Sequence, residues 1–176
     1  DVFAAAPSLR VISKWGTGVD SIDRAAAEAC GIRVCNTPNA FSEPVADHVF
    51  ACMLAFVRNI PSTHWAMKAG AWEKPQLTTL GESVLGVIGV GNAGRAVVRR
   101  AGGFGMNVLG NDVVAPPPAF VAQTGIEMTT LDDLLGRADF VTLHTDLNPT
   151  SRHLIDAHRL GAMKRGAVLI NTSRGS

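Results

Sequence analysis

Three glycines are set at 89, 91 and 94 in the stretch Gly89-Val90-Gly91-Asn92-Ala93-Gly94, preceded by the apolar run Val84-Leu85-Gly86-Val87-Ile88 and followed by Arg95-Ala96-Val97-Val98. A strand-to-helix corner that lacks side chains at these spots suits a diphosphate. The first glycine permits the tight turn, the second lets the backbone come close to the anion, and the third lets the helix pack on the strand while its first amides face the phosphates. Eighteen residues after Gly94, Asp112 ends a second apolar run, Met106 to Asn111, where a carboxylate can accept the hydroxyls of an adenosine ribose. In a chain with 18 glycines the bare pattern is weak, so its specificity comes from the strand before, the helix after and the acid downstream. Together they point to NAD held by Gly89, Gly91, Gly94 and Asp112. NADP is disfavoured, because a 2′-phosphate about 4 Å from the carboxylate would be repelled by up to ~4 kcal/mol per charge pair at intermediate dielectric. No arginine follows among Val113, Val114 and Ala115 to receive that phosphate.

The elements that must position this corner follow from periodicity. Residues 9–15 read as a strand, 22–30 as an alanine-rich helix stopped by Gly31, and 32–36 as a second strand, making one βαβ unit. A helix capped by Ser42, with Pro44 in its first turn, carries Val45, Val49, Met53, Val57 and Ile60 at helical spacing until Pro61 ends it. The stretch 61–80 has Trp65, Gly70, Trp72 and Pro75 without clear periodicity, which predicts a linker or a dimerisation arm. Beyond it come strand 83–88, helix 94–104, strand 106–111, a proline-rich turn at 116–118, helix 131–136, strand 139–144 and strand 167–171. Such alternation predicts an α/β fold with a doubly wound parallel sheet, a Rossmann nucleotide-binding domain over 43–176 beside a piece of a smaller domain over 1–42. Chemistry in these sheets gathers past the carboxyl ends of strands. There lie 16–20, 36–38, the glycine corner, 144–146 and 171–174.

Composition sets limits on the partner. The 16 basic and 15 acidic residues leave a formal charge of +1 without a basic cluster beyond Arg99-Arg100, which argues against nucleic acid and an anionic membrane and for a small molecule. No apolar run approaches the ~20 residues of a membrane helix, and the N-terminal residues do not read as a signal peptide. The three cysteines, Cys30, Cys35 and Cys52, form no Cys-x-x-Cys pair, which predicts a reducing compartment with the cytoplasm as default. The five histidines show no metal-ligand spacing, so no metal site is expected.

Six motifs in unbroken order carry a likeness to a known family: Gly16-Thr17-Gly18-Val19-Asp20-Ser21-Ile22-Asp23, Asn36-Thr37-Pro38, Ser42 to His48, Arg58-Asn59-Ile60-Pro61 with Gly70-Ala71-Trp72, the glycine corner, and Asn171-Thr172-Ser173-Arg174-Gly175. The chain resembles the NAD-dependent D-isomer-specific 2-hydroxyacid dehydrogenases, nearest in pattern to the phosphoglycerate dehydrogenase branch. The resemblance implies a flavodoxin-like substrate domain, with the substrate carboxylate on the amides of Thr17 and Gly18, where successive amides make an anion nest. It implies that Arg174 is the catalytic arginine, clamping the carboxylate and polarising the reacting oxygen through a planar fork. It puts Asn92 and Ala93 beside the diphosphate, and Thr145, Thr172 and Ser173 against the cofactor. The family's proton-donating histidine and the acid that tunes it lie beyond the arginine, which implies a fragment lacking both termini that binds NAD and turns over poorly alone. Departures from the family pattern are Asp146 for a proline, Asp47 for a glutamate and Ser176 for a glycine. The implied function is hydride transfer between NAD(H) and a small D-2-hydroxy or 2-oxo acid in a homodimer; the alternative is an NAD-sensing, corepressor-like relative without metabolic turnover.

Overall fold

The computed structural model describes residues 2–175, so the Ser176 departure lies outside the described residues. They divide between Phe41 and Ser42 into two compact units. The first holds a short helix α1 (Val2–Ala5), strand β1 (Val11–Lys14), helix α2 (Arg24–Ala29) and strand β2 (Arg33–Asn36). β1 and β2 pair in parallel with Val11 opposite Arg33 and Lys14 opposite Asn36. Asp23 caps α2 by accepting the Ala26 N–H at 2.9 Å, and Ala27 and Ile32 are its buried apolar residues.

The second unit runs α3 (Ser42–Val57), α4 (Ile60–Lys68), β3 (Val84–Ile88), α5 (Asn92–Gly103), β4 (Asn107–Asn111), α6 (Pro118–Thr124), β5 (Glu127–Met128), α7 (Leu131–Arg137), β6 (Phe140–Leu143), α8 (Ala157–Ala162) and β7 (Val168–Asn171). Its five strands are all parallel in the order β5-β4-β3-β6-β7. The chain leaves β3 toward β4 on one side and returns through β6 on the other. A crevice therefore opens at the carboxyl ends of β3 and β6, the place where doubly wound sheets bind ligands. Alternate residues of the strands feed two cores. Leu85 and Val87 of β3 pack with Val49, Met53, Val97 and Val98 of α3 and α5, whereas Ile88, Leu109 and Val141 pack with Leu134 and Leu135 of α7. Burial on both faces is why these strands read as continuous apolar runs.

Three local expectations are corrected. Pro61 does not simply end a helix running to Ile60: α3 stops at Val57, Asn59 takes a left-handed φ of 48°, and Pro61 sits in the first turn of α4. A proline there replaces an N–H that has no helical partner anyway. The aperiodic arm over 61–80 thus begins as helix and is extended only afterwards, and Ile60 is 52% exposed instead of joining the core. The prolines at 116–118 are likewise not only a turn, since Pro118 starts α6, which Gly125 closes at φ 67°.

Candidate functional site

The corner between β3 and α5 is a cradle made of backbone. Gly89 has φ +90°, and a Cβ placed on it would lie 2.7 Å from the carbonyl oxygen of His144. A Cβ on Gly94 would run into the carbonyl of Gly89 and come within 3.0 Å of its carbon. Gly91 differs: nothing lies within 4 Å of its missing Cβ, so that side of the turn faces open space. As the N-cap of α5, Gly91 offers no side-chain acceptor to the first-turn amides of Asn92, Ala93 and Gly94. Those amides and the helix dipole are thereby available to an anion. An uncrowded approach at Gly91, over a cap with no acceptor of its own, fits a diphosphate.

Asp112, at the end of β4, ties itself to this turn. Its Oδ2 accepts the Val90 N–H at 2.6 Å and its Oδ1 accepts the Val114 N–H at 2.9 Å. A carboxylate offers about four lone-pair sites, so acceptor capacity remains for ribose hydroxyls. Val113 and Val114 beside it are 90% and 71% exposed. Val90 is held from its other side as well, where its carbonyl accepts Arg95 Nε at 2.9 Å.

Past the neighbouring strands, β6 delivers His144 and Thr145. The His144 N–H donates to the Ile88 carbonyl at 2.8 Å, and its Nε2 lies 3.0 Å from Thr142 Oγ1. Burial pushes the imidazole down to about 4, so near neutral pH the ring is uncharged, with one N–H and one acceptor nitrogen. Thr145, Asp146, Asn171, Ser173 and Arg174 line one cavity that Ser151 and His153 also face, with leucine and isoleucine making up most of the remaining wall. Asn171 organises the turn beyond β7. Its Oδ1 accepts the N–H and Oγ of Ser173, both at 2.9 Å, while its Nδ2 donates to the Arg174 carbonyl at 2.6 Å. Arg174 Nη1 donates to the Ser173 carbonyl at 2.9 Å. Thr172 is not part of the cavity lining; its shielded Oγ1 has no hydrogen-bond partner.

Sequence reasoning chose Thr145, Ser173 and Arg174, which share this cavity, but missed Asn171 as the residue that shapes the turn. An asparagine ending a strand two residues before a serine is the available signal, since Asx side chains bond the backbone two residues on.

In the first unit, the turn after β1 is pinned to the end of β2. Thr37 Oγ1 accepts the Gly16 N–H at 2.8 Å and Asn36 Nδ2 donates to the Thr17 carbonyl at 2.7 Å. No hydrogen bond among the described residues uses the N–H of Thr17 or Gly18. These two amides can receive an anion such as a carboxylate.

Comparison with known proteins agrees with this geometry. The chain is 42% identical over 179 residues to D-3-phosphoglycerate dehydrogenase of Methanocaldococcus jannaschii, covering 99% of this chain and 34% of that protein. It is 39% identical over 181 residues to glyoxylate reductase of Korarchaeum cryptofilum, covering 99% and 54%. Among solved structures, D-lactate dehydrogenase from Aquifex aeolicus complexed with NAD and lactic acid superposes with a TM-score of 0.91 at 33% identity, covering 99% of this chain and 53% of that one. The chain thus spans between a third and about half of the length of these relatives. Residues 50–176 match the family model for the NAD binding domain of D-isomer specific 2-hydroxyacid dehydrogenases, and with the glycine cradle and its acid in place the chain belongs to that family.

Proposed function

We propose that the protein carrying this chain moves a hydride between NAD(H) and a small D-2-hydroxy or 2-oxo acid, phosphoglycerate among the candidates. The observation that carries this reading is the pairing of an acceptor-free cap at Gly91 with an Asp112 carboxylate bonded to the same turn. Bound NAD supplies the hydride acceptor, and NADH the donor. The chain's residues bind and orient. Gly89, Gly91, Asn92, Ala93 and Gly94 take the diphosphate, Asp112 the adenosine ribose, and Thr145, Thr172 and Ser173 the flank of the cofactor. The amides of Thr17 and Gly18 hold the substrate carboxylate, and Arg174 clamps it and stabilises charge on the reacting oxygen; a comparable preorganised donor contributes on the order of a hundred- to a thousandfold in rate. None of these residues is given the proton, and His144, part-buried with its imidazole held uncharged near neutral pH, is not assigned it either.

The exposed apolar residues Phe56, Ile60, Trp65 and Trp72 support a homodimer formed through α4 and the segment after it. The absence of a basic cluster supports a small-molecule partner over nucleic acid. The three unpaired cysteines support a reducing compartment, taken as the cytoplasm.

Titration of the chain with NADH and NADPH, followed by calorimetry and nicotinamide fluorescence, tests the reading. NADH binding tighter than NADPH is expected, with Asp112→Ala narrowing the ratio by about tenfold, equivalent to ~1.4 kcal/mol. No NADH binding at millimolar ligand removes the whole reading, and an unchanged ratio in the variant removes the ribose role of Asp112.

A further inference from the structure

Arg95 sits in the first turn and a half of α5, a poor place for a cation, because the helix dipole is positive there. Among the described residues no carboxylate lies within ion-pair distance of it. Helix stability and charge pairing therefore do not explain its placement. What it does is local: Nε donates at 2.9 Å to the carbonyl of Val90, the residue between the first two glycines of the turn, and the guanidinium carbon lies 6.0 Å from the ring centroid of Phe120 in α6. Val90 is thus held twice, its N–H by Asp112 Oδ2 at 2.6 Å and its carbonyl by Arg95. The peptide groups on both sides of Val90 are fixed before any ligand arrives.

Resting on the NAD reading above, we propose that Arg95 is a positioning residue for the dinucleotide turn, acting through its bond to the Val90 carbonyl and not through its charge. A turn already held in its binding shape loses less freedom when the diphosphate docks, so the bond appears as cofactor affinity. The guanidinium spans from α5 over the turn to the aromatic face of Phe120, and that packing keeps Nε aimed at the carbonyl.

The proposal separates hydrogen bond from charge in one comparison. Glutamine puts a neutral N–H donor at the same number of bonds from Cα as Arg Nε, whereas methionine fills the same length with no donor. Kd for NADH and for ADP is measured by titration for the wild type, Arg95→Gln and Arg95→Met, at low and at moderate salt, with thermal unfolding confirming that each variant is folded. Arg95→Met is expected to weaken both ligands by about three- to tenfold, the range of one net hydrogen bond. Arg95→Gln is expected to stay within about twofold of wild type, since the donor is retained. In the ligand-free chain, exchange of the Val90 amide proton is expected to speed up in Arg95→Met and to stay slow in Arg95→Gln. Binding by Arg95→Met equal to wild type overturns the proposal. So does a loss in Arg95→Gln as large as in Arg95→Met and fading with salt, which assigns the effect to charge on the phosphates. Wild type that binds neither ligand overturns the NAD reading and this inference with it, whereas wild type that binds while the variants fail the pattern overturns this inference alone.

Discussion

Gly91 and Gly94 stand three residues apart for different physical reasons. A methyl on Gly94 meets the backbone of Gly89, which cannot step aside, while a methyl on Gly91 meets nothing within 4 Å. Gly94→Ala is therefore expected to lower stability by about 1–3 kcal/mol through overpacking and to abolish NADH binding. Gly91→Ala, at a φ of −71° that alanine tolerates, is expected to leave the unfolding midpoint within about 0.5 kcal/mol of wild type while weakening NADH at least tenfold. Calorimetric unfolding beside NADH titration reads both; Gly91→Ala binding as wild type does would mean that the diphosphate does not approach there. At this scale the sequence was partly readable. The three glycines and Asp112 were visible because strand, turn, helix and acid come in a fixed order. The bond from Arg95 to Val90 was not, because nothing in a residue's type tells whether a helical arginine points at solvent or folds back on the preceding turn. Thr172, placed beside Ser173 by the family resemblance, leaves its hydroxyl without a partner among the described residues.

Elements whose apolar side chains face a core were legible, as were β1, α2 and β2 with little burial, whereas several other elements that bury little were not. β3, β4 and β6 were foreseen because a strand covered on both faces must be apolar throughout, and β7 because its run Val168-Leu169-Ile170 is apolar although it lies at the sheet edge with Leu169 exposed. α8 buries no residue, β5 has two residues at the sheet edge, and α6 is short and begins on the last of three prolines, so none leaves a periodic trace. α4 also buries none, and its apolar content instead faces outward. Trp65 is occupied by its own helix, edge-on to His64 at 5.3 Å and under Lys68 at 5.3 Å. Trp72 is 78% exposed, after the helix has ended. Leaving such area in water forgoes about 25 cal/mol per Å², which a second copy of the chain can recover. Analytical ultracentrifugation is expected to show a dimer at micromolar concentration, with Trp72→Ala weakening it by about thirtyfold, as an aromatic anchor contributing ~2 kcal/mol implies. A wild-type monomer under those conditions rules the arm out as a self-association element.

For the molecule as a whole, the ionisable groups separate into two pH windows. The outer one belongs to exposed carboxylates. Hydrogen bonds from Arg137 hold Glu127 and Asp133 below their ordinary range, so their contribution is complete near neutral pH and is lost only as pH falls below about 4. The inner one belongs to His144, beneath the glycine turn. In the unfolded chain an imidazole protonates as pH drops past about 6.5, but in the fold burial delays protonation to about 4. Above the first value both states are neutral and the ring has no effect on pH dependence. Between the two values the unfolded state binds a proton that the folded state refuses, so stability declines as pH falls. The full gap corresponds to at most ~3 kcal/mol, reduced by the solvent the ring still meets. The unfolding midpoint of the wild type is therefore expected to fall between pH 7 and 5, before the carboxylates contribute. His144→Gln, which keeps a hydrogen-bonding group toward Thr142, is expected to start lower and run flat across that interval, then to drop with the wild type below pH 4. Thermal unfolding at half-unit steps of pH decides it. A wild type that is flat from pH 7 to 5, or a variant that keeps the wild-type slope, would show that the imidazole beneath the turn is open enough to take its proton in the folded state.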